Sequence, residues 1–423
     1  MHREPLYTPE SPLRASTLDE SFNAAEPHAV TEAPRLLEGL RILIVVGPMV
    51  LGGAERQAIM LARQLRERHG AHVEFWGIYG DGGQLVDELD RYEIPWRIVH
   101  GPVIGARAPW RWRARQVKLL LSFTRSLRSE RFDVMLPFMT LPNTVLSLVW
   151  RLTSARVCIW NQRSDGSDAD ELNITYSARL AARLATAFVS NSVVGADYLR
   201  RRFDIAGERL HVVHNGVRLA PPERERTEWR AELGADEETL VATMIANLHP
   251  PKDHATLLRA WRIVADRLPA SGRRAILALA GRPVSTHSSL EELATELGIT
   301  DCVRFLGAVR DVNGLLHSSD LAVFSSLSEG MPNGVLEGMA AGLPVVATAL
   351  PGIRDALGVD DDRLLAPIGD VAGLAERILA LCDSAQLRAS LGASNRRRIE
   401  TEFAESVMVD RFAALIEYYW KQA

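Results

Sequence analysis

Leu321-Ala-Val-Phe-Ser-Ser-Leu-Ser-Glu329-Gly-Met-Pro-Asn333-Gly-Val-Leu-Glu337-Gly-Met-Ala-Ala-Gly342-Leu-Pro344 reads as an apolar strand, a loop and a short helix in immediate succession. The apolar run ends at Ser325, the loop carries Glu329, and Asn333 stands where a helix N-cap belongs. Gly342 and then Pro344 supply the stop signal. An uninterrupted apolar strand feeding a helix is the repeating unit of a parallel sheet covered on both faces.

The same alternation extends in both directions. Upstream, Arg41-Ile-Leu-Ile-Val-Val46 ends in Gly47-Pro48, and a helical pattern follows with Ile59, Leu61, Ala62 and Leu65 on one face. Further strands are expected at 72–78, 96–99, 133–138, 157–160, 187–190 and 210–214. Pro221-Pro222 and the charged run 223–230 interrupt the series and read as a linker. A second series is expected at 239–246, 275–280, 303–306, 321–325, 344–347 and 364–365, with helices at 254–268, 289–297, 334–341 and 371–383. The expected fold class is α/β, with two doubly wound domains facing a central cleft. The first spans 40–218 and the second 219–405. Residues 1–39, with Pro5, Pro9, Pro12, Pro27 and Pro34 and no apolar periodicity, are expected to form a disordered arm. For the last helix, 406–421, one placement is back against the first domain.

Composition narrows the class of protein. The 423 residues are 47% hydrophobic and 24% charged, which excludes a mostly disordered chain. Three widely separated cysteines, Cys158, Cys302 and Cys382, provide neither a disulfide framework nor metal-ligand spacing. No apolar run reaches the roughly 18–20 residues that span a bilayer, and the N-terminus lacks the apolar core of a secretory signal. A cytoplasmic protein is expected. Charge is unevenly spread: residues 41–220 carry net +8 and residues 221–423 net −8. A basic half suits an anionic partner, although drift in surface composition gives the same numbers.

Chemistry concentrates around the opening stretch. Ligands of open parallel sheets bind outside the carboxyl ends of strands, where this loop-to-helix junction lies. Amides near Asn333 and Gly334, with the helix dipole, form an anion site that needs no metal. Glu337, one turn inside the helix, is placed to reach ribose hydroxyls, and Glu329 to face a sugar beyond the anion. A bare pair of glutamates at this spacing reads as two ordinary solvated carboxylates; the intervening Gly330-Met331-Pro332-Asn333-Gly334 favours the site.

That segment, from Glu329 to Glu337, resembles the E-x7-E motif of retaining GT-B glycosyltransferases of family 4. Other stretches agree in order. Gly52-Gly53-Ala54-Glu55-Arg56 is similar to the family's first glycine loop, and 189–192 and 213–217 to the segments that close its first domain. Lys252 resembles its phosphate-binding lysine, and 342–348 followed by Pro351-Gly352 also fits. The resemblance implies two Rossmann-like domains, a nucleotide-sugar held mainly by the second and an acceptor held by the first. Carried over, Glu337 would hold ribose, Glu329 the transferring sugar, and Gly330 to Gly334 would present amides to sugar and phosphate. Lys252 would neutralise charge developing on the leaving diphosphate. Gly52 and Gly53 would bring backbone close to diphosphate or acceptor.

Two departures from the family pattern stand out. The family pairs the lysine with an arginine at the position occupied here by Asn247, so His249, or an arginine from elsewhere, would replace that charge, or the diphosphate would be held less tightly. The histidine common after the fourth strand is missing from Leu136-Pro-Phe-Met-Thr-Leu-Pro-Asn143. This stretch, and Trp160-Asn-Gln-Arg163, are similar to members that build lipid-linked oligosaccharides and surface polysaccharides. Asn143 and Arg163 are thus cleft candidates, or else structural hydrogen-bonding residues. No general base stands out, which agrees with front-face retention.

The basic segment 107–128 mixes Trp110, Trp112 and arginines with an apolar stripe. It reads either as a surface for an anionic membrane or as an ordinary helix packing Val117, Leu120, Leu121 and Leu127 on the sheet. No nucleic-acid partner is expected. The implied activity is transfer of a hexosyl or N-acetylhexosaminyl group from a UDP- or GDP-sugar to a saccharide, polyprenyl-linked ones among them, without cofactor or metal. The rivals are a nucleotide-sugar epimerase and a binding protein that has lost catalysis.

Overall fold

The run at Arg41 becomes β1 (Arg41–Pro48), buried from Ile42 to Val46. Its side chains alternate between two cores: Ile42, Ile44 and Val46 join one, Leu43 and Val45 the other. A strand with no solvent face needs no polar alternation, and its sequence shows none.

The computed structural model describes residues 35–80, 82–102, 110–166, 175–268, 273–358 and 362–423. Most of the expected arm and the 107–109 start of the basic segment lie outside the described residues. After β1 come α1 (Gly53–Glu67), β2 (His72–Tyr79), α2 (Gly83–Arg91), β3 (Trp96–Ile98), α3 (Trp110–Glu130) and β4 (Val134–Pro137). Next are α4 (Thr140–Val149), β5 (Val157–Gln162), α5 (Thr175–Leu184), β6 (Ala187–Ser190), α6 (Val193–Phe203) and β7 (Leu210–Val212). The second series holds α7 (Arg226–Leu233), β8 (Leu240–Ile245), α8 (His254–Arg267), β9 (Ala275–Ala280), α9 (His287–Glu296), β10 (Val303–Gly307) and α10 (Val312–Ser318). It continues with β11 (Leu321–Phe324), α11 (Asn333–Ala340), β12 (Val345–Thr348), α12 (Pro351–Leu357), β13 (Leu365–Ala366) and α13 (Val371–Asp383). Two helices end the chain, α14 (Ala385–Arg398) and α15 (Glu405–Gln422).

The strands form two parallel sheets, ordered β3-β2-β1-β4-β5-β6-β7 and β10-β9-β8-β11-β12-β13. Each order reverses beside its first strand, so a crevice opens outside the carboxyl ends of β1 and β4 and of β8 and β11.

Three expectations need correction. The charged run 223–230 is not a linker: α7 begins within it, and Trp229 and Leu233 pack into a core with Val241, Ile276 and Leu315. Its charges occupy the outward turns, except for buried Arg230, which donates to Ser318 O at 2.9 Å. Residues 35–39 are not part of a disordered arm. They form a turn in which Leu37 is fully buried and its amide donates to His69 O. Thirdly, Val117 and Leu121 on α3 do not pack on the sheet. Both are exposed, while Phe123 and Leu127 face the core.

The chain crosses between the sheets twice, and the crossings are bonded to each other. Val217 N–H donates to Phe403 O at 2.8 Å and Glu405 N–H to Val217 O at 3.1 Å. Helix α15 then lies against the first sheet, where Met408, Val409, Phe412 and Ile416 join the core of β1. Glu405 anchors its start, accepting from Arg63 Nη2 at 2.7 Å and Gln64 Nε2 at 2.9 Å.

Candidate active site

Lys252 does not begin α8; it ends a tight 3-10 turn, Pro250–Lys252, just before it. Asp253 follows in a left-handed conformation (φ 46°), and its carboxylate caps α8 by accepting from Thr256 N–H. This turn is stitched to the loop after β11. Leu327 N–H donates to Pro251 O at 2.8 Å, and Ser325 Oγ to Asp253 O at 2.9 Å. The stitching brings Lys252 Nζ to 2.5 Å from Glu329 Oε1. Ser326 Oγ donates to the same oxygen at 2.8 Å, and Ser326 is itself held by Thr348, which exchanges two backbone–hydroxyl bonds with it. Glu329 is only 8% exposed. A carboxylate this sheltered is stable when paired and costly when left alone.

The helix after this loop starts one residue earlier than the sequence suggested. Pro332 occupies the N-cap, and Asn333 is the first helical residue. Its side chain does not cap because it is bonded across the cleft. Oδ1 accepts from Asn215 Nδ2 at 2.8 Å and Gln57 Nε2 at 3.3 Å, while Nδ2 donates to Gly53 O at 3.1 Å. The amides of Asn333, Gly334 and Val335 keep no intrahelical acceptor and point out of the helix start. Gly334 has no room for a side chain: a Cβ there would lie 2.3 Å from Ile245 O and 2.8 Å from the Phe324 ring. Glu337 is partly buried, and desolvation raises its carboxyl above the usual carboxylate range, with the Arg56 guanidinium pulling the other way.

Gly52 caps α1 without a side chain, and Gly53 lies against Asn333. Gly330 comes as close from the other side: a Cβ on it would meet Asn191 Oδ1 at 3.0 Å and Ser164 backbone at 3.1 Å. Met331 O accepts from Asn215 Nδ2 at 3.0 Å, and Asn215 Oδ1 accepts from Arg163 Nη1 at 3.2 Å. Arg163 therefore reaches the loop through Asn215. Its guanidinium lies over the Phe138 and Phe412 rings, and burial pulls it down to about 9.

Asn143 is placed differently. It is fully buried, with both ends of its amide on the Asn161 backbone at 2.7 and 3.0 Å, so it braces β5 rather than facing the cleft. Asn247 braces as well, its Oδ1 accepting from Arg282 N–H at 3.1 Å. His249 is exposed at the head of the Pro250 turn. The structure thus brings together Lys252, Glu329, Gly330 to Gly334, Glu337, Gly52 and Gly53. It adds Ser326, Gln57, Asn215 and Arg282, whose placement depends on contacts distant in sequence. A glycine and a proline flanking Arg282 after a strand were the one local signal for the last.

Profiles of two families match this chain, one described as glycosyltransferase family 4 over residues 51–220 and one as glycosyl transferases group 1 over residues 239–384. D-inositol 3-phosphate glycosyltransferase of Saccharomonospora viridis is 31% identical over 225 residues, 51% of this chain and 52% of that protein. Lipopolysaccharide core biosynthesis glycosyltransferase LpsD of Rhizobium meliloti is 30% identical over 210 residues, 49% of this chain and 57% of that protein. The chain spans just over half the length of these relatives. Among solved structures, Anabaena Alr3699/HepE in complex with UDP and glucose superposes with a TM-score of 0.76 at 19% identity, covering 90% of this chain and all of that one. At that identity the likeness speaks to the fold, which is GT-B. The chain belongs to the family 4, group 1 glycosyltransferases.

Proposed function

We propose that this chain is a retaining glycosyltransferase. It moves a hexosyl or N-acetylhexosaminyl group from a UDP- or GDP-sugar to a saccharide acceptor, polyprenyl-linked saccharides included, in the synthesis of a surface polysaccharide or glycoconjugate. The observation that carries this reading is the convergence of Lys252 and Glu329, 2.5 Å apart, beside the free amides that open α11. A diphosphate on those amides puts its ribose near Glu337 and its sugar near Glu329. The relatives' names and the UDP and glucose held by Alr3699/HepE support a nucleotide-sugar as donor.

In the proposed reaction the bond between the sugar's anomeric carbon and the diphosphate oxygen breaks, and a bond to the acceptor oxygen forms on the same face. The acceptor's proton passes to the departing phosphate oxygen. Lys252 and the helix amides stabilise the charge that develops there, and neither a metal nor a protein base takes part. The first domain holds the acceptor near Gly52 and Gly53.

Incubation with a panel of UDP- and GDP-sugars and saccharide acceptors tests this reading. Expected results are transfer that persists in chelator, a product whose anomeric configuration matches the donor, and a loss of about 100-fold or more in Lys252→Ala and Glu337→Ala. Full activity in both folded variants, or a sugar isomer formed without acceptor, overturns it.

The exposed Val117, Lys118, Leu121, Arg125 and Arg128 of α3 support a second part of the proposal, contact with an anionic membrane at its cytoplasmic face. Among the described residues no helix is long and apolar enough to cross a membrane. Co-flotation with vesicles containing phosphatidylglycerol, lost in Val117→Ser/Leu121→Ser, is the expected outcome; equal flotation with neutral vesicles counts against it.

A further inference from the structure

A nucleoside diphosphate brings more negative charge than one ammonium offsets, and Lys252 is already committed to Glu329. The crevice holds another cation. The loops after β8 and β9 run side by side: Ala246 N–H donates to Ala280 O and Leu248 N–H to Arg282 O, both at 2.9 Å, and Asn247 Oδ1 accepts from Arg282 N–H at 3.1 Å. Gly281 permits this approach, since a Cβ there would lie 1.9 Å from Ala246 O. Arg282 is thereby fixed at the carboxyl end of β9, next to the turn that carries Lys252.

Its backbone is fully tied down while its side chain is free. Among the described residues the partly buried guanidinium has no hydrogen bond or ion pair. Its charge instead acts across the crevice on Glu55, in the first turn of α1, where burial raises the carboxyl to about 6 and Arg282 opposes that rise. Glu55 belongs to the loop whose Gly53 O is bonded to Asn333. The loop of Gly52 to Glu55 is therefore flanked by donors on two sides, the amides that open α11 and the Arg282 guanidinium.

We propose that Arg282 is the second phosphate-binding cation of the donor site, reaching the diphosphate from the β9 loop and supplying the charge that Asn247 lacks. This rests on the nucleotide-sugar reading above. A planar guanidinium matches phosphate oxygens in pairs, which an ammonium does not. The field of Glu55 draws the guanidinium toward the crevice, and an arriving anion takes over that role.

Calorimetric titration of the full chain with UDP, GDP, UMP and GMP tests the proposal, with thermal unfolding to check each variant. For whichever diphosphate the wild type binds, Arg282→Ala is expected to weaken binding about 10- to 100-fold, while the matching monophosphate changes less than about 3-fold. Arg282→Lys restores part of the loss, and Asn247→Arg in the Arg282→Ala background restores more by returning a guanidinium from the neighbouring loop. Diphosphate affinity unchanged in Arg282→Ala, or mono- and diphosphate weakened equally, overturns the assignment. Absence of any nucleotide binding by the wild type defeats instead the donor reading on which it rests. Because no hydrogen bond is lost with the side chain, Arg282→Ala should unfold at the wild-type temperature; a variant that does not is replaced by Arg282→Gln, for which the same two outcomes decide.

Discussion

Asn333 Oδ1 accepts from Asn215 Nδ2 at 2.8 Å, so the first side chain of α11 is bonded to the segment that follows β7. With Gln57 and Gly53 as further partners, this one amide carries three hydrogen bonds across the crevice. Asn333→Ala is expected to lower stability by about 1–2 kcal/mol, because three hydrogen bonds across the crevice are lost at once, although Asn215 Nδ2 keeps Met331 O and Gln57 Nε2 keeps Gly216 O. The helix itself survives, alanine being a better helix former than asparagine. Donor KM should therefore rise several-fold more than kcat falls. Denaturant unfolding and initial rates measure the two effects, and a wild-type KM would show that the crossing bonds do not shape the site.

Gly334 offers a sharper steric test. A methyl group there meets the Ile245 carbonyl and the Phe324 ring, both at the ends of second-sheet strands, and a backbone carbonyl does not swing aside. Gly334→Ala should force α11 away from β8 and destabilise the protein by about 1–3 kcal/mol. Nucleotide binding should fall with it. Gly207→Ala, at a position with open space around it, is the matched control with neither effect.

Stability should fall on mild acidification. His214, stacked on Phe403, and His254, beside Lys252, are both held down to about 4 from an ordinary value of 6.5, chiefly by burial. Between those values the unfolded chain binds more protons than the native one, so stability drops as pH falls through 6.5 and levels off near 4. Each histidine accounts for roughly 3 kcal/mol. Glu55, raised to about 6 from 4.5, has the opposite sign and returns about 2 kcal/mol over that interval. Urea midpoints at pH 7 and pH 4.5 should differ clearly in favour of pH 7; equal midpoints would refute the neutral burial of the two imidazoles.

Leu37 tests the edge of the first domain. It is completely buried in the core of β1 although the proline-rich stretch before it carries no apolar period. Leu37→Ala should cost about 2–4 kcal/mol, measured by thermal or denaturant unfolding. A cost near zero would mean that the turn at 35–39 adds nothing to the core.

The alternation of strands and helices was readable because strands covered on both faces leave uninterrupted apolar runs, and β1 and β11 do so plainly. The grouping of Glu329, Gly330 to Gly334 and Glu337 was readable because strand, loop and helix follow one another directly. Contacts made at long range were not. Asn333 looked like a cap because its neighbours in sequence suggest one, whereas its partners Asn215, Gln57 and Gly53 lie 118 to 280 positions away. For Asn143 the sequence leaves a cleft role and a structural one open, and the two bonds of its amide to the Asn161 backbone decide for the structural one. The run 223–230 looked like a linker because Trp229 and Leu233 are the only apolar side chains of α7 that turn inward, too few to show a period.

The two crossings joined at Val217, Phe403 and Glu405 have a mechanical consequence. Gln57 clips Gly216 to α1 through both of its backbone groups, and Glu405 is tied to Arg63 and Gln64, so the paired strands are pinned at one rim. A seam of paired backbone is a pivot for the bodies that it joins. Opening the crevice then costs the bonds that cross it, at Asn333 and Met331, from Ser328 to Asp165 and from Val193 N–H to Asp355, and leaves the seam whole.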